Sequence, residues 1–82
     1  MEQAELVSML DQIIKDRGVP RNIRETLEES IQILNGSESM SEKVSYIISL
    51  LDDASNDTNL SSYTRINIWN LISTLENFKT DI

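Results

Sequence analysis

Met9 to Leu34, MLDQIIKDRGVPRNIRETLEESIQIL, is written a second time from Leu50 to Leu75 as LLDDASNDTNLSSYTRINIWNLISTL. An offset of 41 residues with no gap pairs Leu10 with Leu51, Asp11 with Asp52, Asp16 with Asp57, Val19 with Leu60, Arg24 with Arg65, Leu27 with Ile68, Ile31 with Ile72 and Leu34 with Leu75. In both copies apolar residues recur at helical spacing on either side of a polar turn. That is the pattern of a helical hairpin used twice.

Outward from this stretch, Leu6, Val7, Leu10, Ile13 and Ile14 stack on one face of a first helix running from Glu2 to about Asp16. Gly18 is placed to end it in the left-handed conformation, and Pro20 opens a second helix whose inward face is Ile23, Leu27, Ile31 and Leu34. Asn35-Gly36 closes hairpin one, about residues 2–35, and a polar linker at 36–40 follows. Ser39 and Glu42 form a capping-box pattern ahead of the third helix, whose stripe is Val44, Ile47, Ile48 and Leu51. Asn59, the repeat partner of Gly18, is expected to share its left-handed backbone. The fourth helix runs from about Ser61 to Phe78 with Ile68, Leu71, Ile72 and Leu75 inward, so hairpin two spans about 41–79.

Four amphipathic helices with short turns and no sustained alternation predict an all-α protein, a compact four-helix bundle of two antiparallel hairpins in a single domain over residues 1–82. A side-by-side, solenoid-like stack of the hairpins is the neighbouring arrangement. The expected core is Leu10, Ile14, Leu27, Ile31, Val44, Ile48, Leu51, Ile68, Ile72 and Leu75.

The chain has no cysteine and no histidine, which removes thiolate chemistry, the commonest general base and the two commonest zinc ligands together. No cofactor, metal or catalytic set is expected. A net charge of -7 argues against broad DNA binding, which needs cations to displace phosphate counterions. No apolar run reaches the roughly 20 residues of a membrane span, and Glu2 and Glu5 stand where a secretory signal would be positive, so the expected location is cytoplasmic.

Val19-Pro20-Arg21-Asn22-Ile23-Arg24, the second run from Asn56-Asp57 to Thr64-Arg65, and Ile68-Trp69-Asn70 resemble the archaeal uncharacterised protein family 0147 over nearly the whole chain. That resemblance implies an archaeal source and a compact helical fold, and it brings no activity, ligand or site residue. The aspartate, aliphatic, arginine pattern at Asp16, Val19 and Arg24, echoed at Asp57, Leu60 and Arg65, is more loosely similar to a HEAT-type hairpin.

Four groups of residues are candidates for function. The turn pairs Asp16 with Arg24 and Asp57 with Arg65 are read as structural, each aspartate capping turn amides and accepting from its arginine. Lys15, Arg17, Arg21 and Arg24 form a candidate basic tip that could touch RNA phosphates or an acidic partner; the competing reading is that they answer the dipole at the end of helix one and nearby carboxylates. Asp52, Asp53 and Asp57 lack the glycine and terminal glutamate of a calcium loop and are read as solvated. The fourth group is Tyr63, Ile66 and Trp69, which project away from the apolar stripe of the last helix. Their partners in the first copy are Asn22, Glu25 and Glu28, all polar. A water-facing surface made apolar in one copy only marks a contact surface, most commonly covered by a second copy. The expected function is therefore a non-enzymatic protein-protein interaction or scaffold module that self-associates through the last helix as a homodimer, or uses that face for another protein. The alternative is an RNA- or ribosome-associated accessory protein working through the basic turn.

Overall fold

The computed structural model describes residues 3–81, with side chains to Phe78. Its elements are α1 (Gln3–Ile14), α2 (Arg21–Leu34), α3 (Met40–Ser55) and α4 (Ser62–Asp81), with no strand among the described residues. A helix start at Glu2 lies outside them, and α4 continues past the expected end at Phe78.

Each boundary has a local cause. α1 tightens as it ends: the Asp16 amide donates to the Ile13 carbonyl, a three-residue step, at 3.1 Å. Pro20 stands at the start of α2 with φ -58° and contributes no side-chain cap, which suits a residue with no amide hydrogen to lose. Ser39 caps α3 by accepting the Glu42 amide at 3.2 Å. Ser61, at the repeat position of Pro20, does cap: its hydroxyl accepts the Thr64 amide at 3.1 Å. The two copies reach the same helix start by different chemistry.

Helices consecutive in the chain pack against one another, and α4 closes the ring on α1, the least extensive of the four seams. The diagonal pairs α1 with α3 and α2 with α4 do not meet. A stack of HEAT-like hairpins would bring those pairs together, so the arrangement is a four-helix bundle and not a solenoid stack. The extents of 33 × 20 × 19 Å fit helices two by two, the long axis matching the roughly 30 Å of a 20-residue helix such as α4.

The centre is filled by residues that hold equivalent places in the two copies: Leu6 with Ile47, Leu10 with Leu51, Leu27 with Ile68 and Leu34 with Leu75, all buried. Four of the expected core residues, Ile14, Ile31, Ile48 and Ile72, are only partly buried and pack against the margin of that cluster. The deepest positions beside them belong to residues the apolar pattern passes over. Ser30 is fully buried and satisfies its hydroxyl on the Thr26 carbonyl at 3.0 Å. Thr64 is equally buried and shares a hydrogen bond with Ser61. A short hydroxyl that bonds within its own helix is no obstacle to burial.

The left-handed expectation for Gly18 and Asn59 is overturned: no described residue has positive φ. What the two share instead is a hydrogen bond. The Gly18 amide donates to Asp16 Oδ1 and the Asn59 amide to Asp57 Oδ1, each at 2.8 Å. An aspartate turn that catches the amide two residues on needs no glycine. A Cβ on Gly18 would meet only Asp16 Oδ1, at 3.4 Å, whereas one on Gly36 would approach the Ile33 carbonyl to 3.2 Å. The second site is the tighter of the two.

Candidate functional site

The turn pairs are built alike in both copies. Arg24 Nε donates to the Ile14 carbonyl at 3.2 Å and its Nη2 to the Asp16 carbonyl at 3.5 Å. Arg65 repeats this on Ser55 and Asp57 at 3.1 and 3.0 Å. The arginines therefore reach main-chain carbonyls, not the aspartate side chains that the charge pattern suggested. Ile14 and Ser55 are the last residues of α1 and α3, where backbone oxygens lack partners within the helix and the dipole is negative, and the Asp16 and Asp57 carbonyls two residues on also accept the Val19 and Leu60 amides. Lys43 does the same for α2: it is buried, and its ammonium donates to the Leu34 carbonyl at 2.9 Å. Three helix ends are thus capped by cations. Nothing in the linear pattern marks Lys43 for this work, because its partner is main chain.

These caps change the picture at the basic tip. Arg24 is occupied as described, Lys15 is paired with Asp11 at 2.8 Å, and Arg21 with Glu25 at 3.3 Å. Hydrogen bonding to Asp11 comes first, and its charge second, in raising the Lys15 pKa above its ordinary value. Arg17 is the member of the group with no such partner among the described residues. Lys15, Arg17 and Arg21 are exposed, and Arg24 is partly buried. No group of acidic side chains that could hold a metal ion converges among the described residues.

Tyr63, Ile66 and Trp69 are 68%, 51% and 52% exposed, which for such large side chains leaves most of their apolar surface in water. They stand three residues apart, so they form one oblique row across the outer face of α4. Around them lie Ser62, Asn70 and Ser73, exposed and uncharged. Arg65 is the one charged residue between Thr58 and Leu75, in a chain with 14 acidic and 7 basic residues. A third exposed aromatic, Tyr46 on α3, lies outside the expected contact residues. The 41-residue offset would have found it, since its partner is Glu5.

Two surface grooves occupy equivalent places. One, of about 380 Å³, lies between α2 and α3 and includes Asn22, Thr26, Asp53, Ala54 and Asp57. The other, of about 430 Å³, lies between α4 and α1 and includes their repeat partners Tyr63, Asn67, Gln12, Ile13 and Asp16. The first is latched: Asn22 Nδ2 donates to Asp57 Oδ2 at 2.8 Å. That bond is the leading cause holding the Asp57 carboxyl below its ordinary pKa, followed by the Asn59 amide and, more weakly, the charge of Arg65. The second groove has Tyr63 where the latch should be. Asp16 Oδ1 holds the Gly18 amide, and Oδ2 has no donor among the described residues.

Residues 2–78 match the model of the uncharacterised protein family UPF0147. A UPF0147 protein of Methanosarcina acetivorans is 46% identical over 92% of this chain and 78% of its own length. One from Sulfurisphaera tokodaii is 39% identical over 89% of this chain and 83% of its own. Among crystal structures, a UPF0147-family protein from Thermoplasma acidophilum superposes with a TM-score of 0.85 at 31% identity, covering 90% of this chain and 88% of that one. The unknown-function protein MMP1188 gives 0.84 at 35% identity, with 90% and 85% covered. No helix among the described residues is long and apolar enough to cross a membrane.

Proposed function

We propose, for a chain that belongs to the uncharacterised protein family UPF0147, a non-enzymatic role as an interaction module that self-associates through the outer face of α4. The observation that carries this reading is the uncharged strip of α4 with Tyr63, Ile66 and Trp69 standing out of it. Two chains of net charge -7 repel wherever their carboxylates meet, and this strip is where they can approach without that cost. Depletion of charge and enrichment in Tyr and Trp are the features that separate the centre of an interface from ordinary surface. A two-fold dimer covers such a face with the same face of a second copy.

The test is sedimentation equilibrium of the wild type beside Ile66→Glu and Trp69→Glu. Wild type should associate in the micromolar range and both variants should remain monomeric. A wild type monomeric at about 100 micromolar, where even a complex of about -6 kcal/mol would be substantially formed, removes the reading. The RNA alternative draws on the cations near the first turn, three of which are engaged within the chain. Titration with total cellular RNA at low salt decides it, since genuine phosphate binding weakens steeply as salt rises.

A further inference from the structure

The difference between the two grooves identifies what the second one takes. Where Asn22 reaches Asp57, the molecule supplies its own example of the group that fits over a turn aspartate: a side-chain amide carried on a helix, with N–H to oxygen at 2.8 Å. Tyr63 replaces that asparagine in the other groove and leaves Asp16 Oδ2 without a donor among the described residues. Resting on the self-association reading above, we infer that this donor comes from a second copy of the chain, and that it is the Asn70 side-chain amide.

The register follows from helix geometry. Tyr63 and Asn70 are seven residues apart, two turns of α4, so they lie on nearly the same side of the helix, and both line the groove that holds Asp16. In an isologous pair, if residue i meets residue j then j meets i. An antiparallel α4 pair centred between Ile66 and Asn67 sets Tyr63 opposite Asn70 of the second copy, and Asn70 opposite Tyr63 of that copy. Each Asn70 amide then lies beside the partner's Tyr63 and donates to the partner's Asp16, repeating between chains the latch that Asn22 and Asp57 make within one. Ile66 sits at the centre and Trp69 at the rim. The charge pattern agrees with this register. No carboxylate lies on α4 from Ser62 to Leu75, so Asp16 is approached by a neutral donor and not by another acid. Lys15, which also borders the groove, is tied to Asp11.

The test is a charge reversal with rescue, read by sedimentation equilibrium on the full chain, with thermal melting to confirm that each variant folds. Asn70→Asp sets a carboxylate against Asp16 and should weaken association at least about tenfold. Adding Asp16→Asn restores a donor opposite the new acid, keeps an oxygen for the Gly18 amide, and should bring affinity back to within about threefold of wild type. Association of Asn70→Asp at wild-type strength, or no recovery in the double variant, overturns the inference. If Ile66→Glu still dissociates the protein in that event, the α4 face stands as the interface and only the register falls. A wild type that does not associate removes both.

Discussion

Hairpin one and hairpin two differ less inside than out. Most of their core positions correspond under the 41-residue offset, and their turns carry the same amide-to-aspartate and arginine-to-carbonyl bonds. Outside, the four large exposed apolar residues among those described belong to hairpin two: Tyr46, Tyr63, Ile66 and Trp69, where hairpin one has Glu5, Asn22, Glu25 and Glu28. On the proposed interaction reading, the internal repeat supplies the frame and one half of it carries the contact surface.

If the interior is truly equivalent, matched cuts should cost the same. Leu27→Ala and Ile68→Ala each remove a fully buried side chain at the same repeat position and should each cost about 2 to 5 kcal/mol in denaturant melts. A difference of more than about 2 kcal/mol between them would break the equivalence. At the turns a smaller asymmetry is expected. Arg65 holds its two carbonyls at 3.1 and 3.0 Å and Arg24 at 3.2 and 3.5 Å. Arg65→Ala should therefore cost about 2 kcal/mol and Arg24→Ala less, as hydrogen bonds from a cation are lost from partly buried sites.

Gly18→Ala sharpens the comparison in the opposite direction. Because Asn59 does the same work with a side chain, and the new Cβ meets only an ordinary contact, alanine should stabilise by about 0.4 to 1 kcal/mol through the unfolded chain. Destabilisation would mean that the first turn requires glycine after all. The smallest effect is expected at the latch. Asp57 has a lowered carboxyl pKa in the folded protein, so its contribution is present above the unfolded value of about 3.9 and is lost as pH falls through the folded value. Asn22→Ala removes the leading cause of that lowering. Its melting temperature should lie below wild type at neutral pH and converge on it in acid. A gap that stays constant with pH would separate the amide from the carboxyl titration.

How much of this was legible depends on whether the cause is local. Helix periods, the Ser39 cap and the Asn35-Gly36 stop are set by neighbours in the chain, and the four-helix fold followed from them. The exposed row on α4 was legible because one copy could be read against the other. The arginine bonds were missed because sequence displays the aspartate charge and hides the backbone carbonyls beside it. Ile31 and Ile72 were set too deep because Ser30 and Leu71, one residue back, hold the buried positions, and a serine carries no apolar signal. The Asn22 to Asp57 latch joins residues 35 apart in different hairpins, which no local pattern reports.

The central claim is that the second copy's outer surface is for contact and not for folding. Writing the first copy's residues onto it, as Tyr46→Glu, Tyr63→Asn, Ile66→Glu and Trp69→Glu in one chain, tests that claim most directly. Sedimentation and melting should be followed together on this variant and on wild type at about 100 micromolar. The account predicts an associating wild type and a monomeric variant that still melts cooperatively with its helix content intact. Equal masses for the two proteins, or a variant that loses its helices, would contradict it.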